Sequence, residues 1–153
     1  MPVARTEEQV AAVAAMVEHD TRVRERMAER LRDQRTLSVR EAKRILTVWQ
    51  FYLRVLVRFD DRRAVVEQAC HLVVLAEIIA RWPAAQRGLL GRVPAGHGLE
   101  VLAGAAEDDW GWARAVRELG LHAAEHRGCV GGVRELLRRY DGDGIAALAA
   151  RLT

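Results

Sequence analysis

The side chains in this chain that could do chemistry are Cys70 and His71 with Glu77 two turns on, His122 and His126, Asp141 and Asp143, and the triplet Gly96-His97-Gly98. Each invites a known chemistry, and each falls short of the pattern that chemistry needs. A phosphate-gripping loop requires a glycine-rich turn ending in Lys and then Ser or Thr, and no such string occurs. His122 and His126 have the spacing of two imidazoles on one helical face, but Glu125 between them is not in the metalloprotease order. Asp141-Gly142-Asp143-Gly144 opens like a calcium loop, yet the twelfth position, which must supply a bidentate carboxylate, is Leu152. That stretch instead reads as a turn capping the last helix. Cys70, His71 and Glu77 are the one local cluster from which a dispersed enzyme site could be built. A buried helix with Glu77 paired to Arg81 accounts for the same residues. The expectation is therefore a protein without catalytic residues, metal ligands or cofactor.

Two further groups suit recognition. Arg40, Lys43 and Arg44 cluster at the start of a helix, and Trp110 and Trp112 follow the acidic run Glu107 to Asp109. Buried Trp and Arg anchor many protein interfaces, so these five residues are the candidate partner-binding set. Residues two apart do not share a helical face, so at least one of the two indoles belongs to the core.

The elements that must position these residues are helical. Half of the 153 residues are hydrophobic, mostly Ala, Leu and Val, and a chain of this length buries a core without disulfide or metal. The two cysteines, Cys70 and Cys129, form no framework and read as thiols in a reducing cytoplasm. Met1 to Gln9 lacks the apolar core of a signal peptide. The longest apolar run, Leu72 to Ala80, is broken by Glu77 and is far too short to span a bilayer. Lys43 is the single lysine and Asn is absent, a bias expected of a GC-rich genome. The net charge of +3 is small for a chain that wraps nucleic acid.

Capping boxes at Thr6/Gln9 and Ser38/Glu41 open two helices. The first, read as a long helix, carries Val10, Val13, Val17, Met27 and Leu31 near one stripe. The polar segment from Arg22 to Arg35, read as a solvated face, either continues it or starts a new helix at Asp20 and Thr21. The second runs to about Phe59, with Ile45, Trp49, Tyr52, Leu56 and Phe59 at steps of three and four. Asp60 and Asp61 mark a turn, and Arg62 to Trp82 forms a helix that is apolar on nearly every side in its second half and is stopped or kinked by Pro83. Residues 85–98 read as a loop or a short broken helix. Short helices follow at about Leu99 to Ala105, Asp108 to Ala124, Val130 to Tyr140 and Ile145 to Leu152. The fold expected is all-α: a single-domain multi-helix bundle over 1–153 with a central buried helix hairpin at 37–84.

That hairpin resembles the helical region that follows the nucleotide-binding core in KAP-type P-loop NTPases. The residues carrying the likeness are Ser38-Val39-Arg40, Lys43-Arg44-Ile45-Leu46, the aromatic Trp49-Gln50-Phe51-Tyr52, and Arg81-Trp82-Pro83. Ser38 and Val39 replace the family's Asn-Pro opening, and Thr47 stands where Asn is frequent. The likeness spans about a third of the chain, residues 37–84, and the phosphate loop and catalytic acids are absent from it. It implies a helical accessory module whose protein partner is an NTPase, with the basic cluster facing that neighbour. A nucleic-acid-binding regulator reading through the helix beginning near Leu37 is the alternative.

Overall fold

Thr6 Oγ1 accepts from the Gln9 amide at 3.3 Å while Gln9 Oε1 accepts from the Thr6 amide at 3.0 Å, and α1 (Glu7–Glu18) begins there in the computed structural model. The structure describes residues 3–32, 37–60 and 62–153. Residues 33–35 of the polar segment, and Asp61 of the expected turn, lie outside the described residues. Ser38 and Glu41 repeat the reciprocal cap at 3.2 and 2.9 Å and open α3 (Val39–Phe59). Each such cap stabilises its helix by about 1 kcal/mol. The choice left open at Asp20 resolves into two helices. Asp20 Oδ1 accepts from the Arg22 amide at 2.9 Å, and this local bond breaks the run so that α2 (Thr21–Arg32) starts separately.

The second half of α4 (Arg62–Arg81) is the centre of the first half of the chain, with every residue from Leu72 to Ala80 buried. Helices α1, α2 and α3 all pack on α4, and α3 pairs with it as a hairpin. The indole Nε1 of Trp49 donates to the Ala69 carbonyl at 3.2 Å, which lets the ring sit 4% exposed without an orphaned donor. Ile45, Trp49, Leu53, Leu56 and Val57 form the covered stripe. Phe59, expected on it, is 57% exposed instead. Steps of 100° carry Phe59 about 60° round from Leu56, so Val57 closes the stripe.

The polar reading of α2 also needs correction. Arg30 is buried, and its guanidinium grips Glu77 of α4 through Nε–Oε2 at 2.7 Å and Nη2–Oε1 at 3.0 Å. The expected Glu77–Arg81 pair is present at 3.5 Å, with Arg81 nearer solvent. Glu77 is wholly buried, so a charged partner must come from another helix, and the one-turn neighbour alone does not suffice.

Where the sequence places one domain over 1–153, contacts cluster into two compact units, Met1–Arg81 making up most of one and Trp82–Arg151 most of the other. The second opens with a single 3-10 turn (Pro83–Ala85) and α5 (Gln86–Leu89). Two-residue strands β1 (Arg92–Val93) and β2 (Gly96–His97) then pair antiparallel, and α6 (Gly98–Ala105), α7 (Asp109–Glu118), α8 (Arg127–Arg139) and α9 (Gly142–Leu152) complete it. Residues 85–98, expected as a loop or broken helix, thus hold a short helix and a hairpin. The hairpin is made possible by Gly96, whose φ of 134° is a backbone conformation that L side chains rarely adopt.

His97 is the N-cap of α6. Its Nδ1 accepts from the Leu99 amide at 3.3 Å, which leaves the proton on Nε2 to donate to Thr153 Oγ1 at 2.9 Å; that hydroxyl in turn donates to the Ala149 carbonyl at 2.7 Å. Burial holds the imidazole below its ordinary pKa, with Glu100 opposing and Arg92 adding to the effect. A depressed folded pKa means that the unfolded chain takes up the proton first. The stability His97 contributes is therefore complete above its unfolded value of about 6.5 and is lost as pH falls through the folded value. A His97→Asn variant keeps a capping side chain but does not titrate. Urea midpoints measured from pH 8 to 5 should fall faster for the parent than for this variant, and parallel curves would remove His97 from the pH response.

Candidate functional site

The 3.6-residue repeat turns one side of α3 away from α4. Steps of 100° place Arg40, Lys43, Arg44, Arg54 and Arg58 in one arc of about 100°, with Thr47 and Phe51 between them and Gln50 at its edge. From Arg40 to Arg58 this arc runs about 27 Å at 1.5 Å per residue. Arg40, Lys43, Arg44 and Arg54 are exposed, and Phe51 is 62% exposed in their midst with its ring edge-on to Tyr52 at 5.1 Å. Arg58, half-buried, is paired with Glu7 of α1. The acid nearest the start of the arc, Glu41, accepts from the Ser38 amide. That backbone hydrogen bond and the Ser38 hydroxyl hold its carboxyl below the usual range, and Arg81 and Arg44 add to the effect. Glu41 is thus engaged in capping, and the outward arc itself contains cations, neutral residues and one aromatic ring.

The two tryptophans lie in opposite environments. Trp112 is 6% exposed and Trp110 is 81% exposed, as the two-residue spacing requires. Arg134 of α8 stacks over the Trp112 ring at 5.3 Å, donates from Nε to the Ala106 carbonyl at 2.9 Å, and pairs with Asp109 at 2.7 Å. Asp108 caps α7 through the Gly111 amide at 2.7 Å, and Glu107 lies 3.5 Å from Arg138. The acidic run before Trp110 is therefore engaged by α8 and by the helix cap. Arg134 has no signature in the sequence, because it lies 25 residues from Asp109 and no local spacing links them. The basic cluster belongs to the first unit of the chain and the Trp pair to the second.

The remaining clusters take mostly structural roles. Glu77 faces Arg30 in the core, whereas Cys70 and His71 line an open depression with Arg22, Glu25 and Arg26 of α2. The three residues thus do not converge on one site. Burial raises the Cys70 thiol pKa against the pull of Arg26 and Arg22, and pushes Cys129 up to about 11, which disfavours the nucleophilic thiolate at both. Asp141 Oδ1 accepts from the Gly144 amide at 3.0 Å and caps α9, as the turn reading expects. His122 precedes the 3-10 turn Ala124–His126 rather than sharing a helical face with His126. Among the described residues, no three His, Cys, Asp or Glu side chains are grouped so as to hold a metal ion, and no helix is long and apolar enough to cross a membrane.

Compared with known proteins, the chain matches no family model, no curated protein and no solved structure.

Proposed function

We propose that this chain is a non-catalytic helical module that docks on a separate protein through the outward face of α3, beginning at Arg40, Lys43 and Arg44. The observation that supports this reading is the outward arc itself. Over about 21 Å, from Arg40 to Arg54, α3 presents exposed cations around an accessible phenyl ring, with Glu41 engaged by the cap at its start and Glu7 paired with Arg58 beyond its end. Such a surface has long-range attraction for an acidic partner and an apolar point of contact to fix register. The resemblance of residues 37–84 to the helical region beside the core of KAP-type NTPases makes an NTPase the partner proposed. Trp110 offers a second contact on the other unit.

Replacing Arg40, Lys43 and Arg44 together by Ala should cut capture of the partner from host extract several-fold and leave the helical circular dichroism spectrum unchanged. Undiminished capture would sink the assignment of this face. The exposed Phe51 among arginines also suits stacking on single-stranded nucleic acid, and that second reading makes a distinct demand. Affinity for an oligonucleotide would have to fall steeply with salt as counterions are released, and a flat or absent response excludes it.

A further inference from the structure

Helices α2 and α3 both lie against α4, and between them they leave an apolar slot of about 350 Å³. Its walls are Val23, Met27, Ala28 and Leu31 from α2 and Leu46 and Trp49 from α3. Met27, Leu31 and Leu46 are only half-buried, so their side chains remain partly in water at the slot. Cations bracket this floor. Arg24 lies on the α2 rim. On α3, Leu46 stands three positions after Lys43, and Gln50, which also lines the slot, four positions before Arg54, so both exposed cations lie on the same side of α3 as the slot. Among the described residues, Glu18 is the acid that lines the slot.

An apolar floor with a cationic rim distinguishes among polyanions. A nucleic acid backbone would use the cations and leave Met27, Leu31 and Leu46 in water. An amphipathic helix places apolar side chains at i, i+3, i+4 and i+7 along one face and its polar residues on both flanks, so it can use the floor and the rim together. Methionine suits such a slot because its unbranched thioether adapts to irregular surfaces. We infer that the α2–α3 slot takes an amphipathic helix of the partner protein, apolar along its inward face and acidic along its flanks, with the acids opposite Arg24, Lys43 and Arg54. This inference rests on the docking reading above, of which it specifies the occupant and the seat.

The test uses the whole chain and two synthetic helices with the same leucine spine, one flanked by Glu and the other by Lys, each labelled for fluorescence anisotropy. The Glu-flanked helix should bind at least about tenfold more tightly. Ala28→Glu, which puts a carboxylate on the slot floor, should weaken it by about tenfold or more, with circular dichroism reporting whether the variant folds. Lys43→Glu alters only an exposed side chain and should narrow the preference between the two helices, so the outcome does not depend on how the floor variant folds. Equal affinities, no binding of either helix, or binding unchanged in a folded Ala28→Glu chain would overturn the inference. Tighter binding of a single-stranded oligonucleotide that survives Ala28→Glu would overturn it in favour of nucleic acid. Partner capture that is lost on removing Arg40, Lys43 and Arg44 but kept by Ala28→Glu would leave the docking face standing and refute the slot.

Discussion

Glu77→Gln should lower the unfolding free energy by about 3–5 kcal/mol, because it strips the formal negative charge from a fully buried ion pair and leaves the Arg30 guanidinium in the core without it. The geometry is the strong kind: two near-parallel N–H···O contacts at 2.7 and 3.0 Å between a planar fork and a carboxylate. Arg81, 3.5 Å from the same carboxylate but with its side chain 39% exposed, cannot take over the role. Arg81→Ala should therefore cost less than about 1 kcal/mol. The sharper test is the double variant Arg30→Met with Glu77→Leu. Taking both charges out of the core removes two desolvation penalties together with their attraction, and such exchanges are often neutral or stabilising by about 1–4 kcal/mol. Urea unfolding of the single and double variants decides the matter. A double variant as unstable as Glu77→Gln would mean that the pair stabilises α2 against α4 in its own right.

Gly98→Ala and Gly104→Ala, made in the same helix, should shift stability in opposite directions. A Cβ at Gly98 would stand 2.2 Å from the Gly88 carbonyl oxygen and 2.5 Å from that of Leu89. Both obstacles are backbone, so the chain around α5 must move, at a cost of roughly 1–3 kcal/mol or more. The Gly98 amide also donates to the Gly91 carbonyl at 2.8 Å, and displacement would stretch that bond. At Gly104 a Cβ meets nothing within 4 Å, and the residue lies in α6 with helical backbone. Alanine there restricts the unfolded chain and should stabilise by about 0.4–1 kcal/mol. Paired thermal denaturation curves measure both effects, and melting temperatures that move the same way would refute the close-approach argument.

Much of the helical framework is legible in the residues themselves. Thr6 with Gln9 and Ser38 with Glu41 mark two helix starts because a capping box is a bond between residues three apart. The buried run Leu72 to Ala80 marks the central helix because such a stretch has no polar face to show to water. The position of the basic cluster follows from the same periodicity: if Ile45, Trp49 and Leu56 face inward, Arg40, Lys43 and Arg44 face out. The opposite fates of Trp110 and Trp112 follow from a spacing of two.

What the residues did not disclose depends on partners distant in the chain. Arg30 lies in an arginine-rich stretch that looks like any solvated helix face, and only the approach of α4, 47 positions on, turns it inward to Glu77. Arg134 joins Trp112 and Asp109 across more than twenty positions. His97 reads as part of a glycine turn until Thr153 arrives beside its Nε2. The slot between α2 and α3 has no signature in either helix, since it is the space left when both pack on a third. Short-range order is carried by bonds and steric limits within a few residues, so the chain by itself determined most of its long helices, the two capping boxes and the inward stripes of α1 and α3. Burial of charge and the shape of open grooves depend on which surfaces meet, and only the tertiary structure decided those.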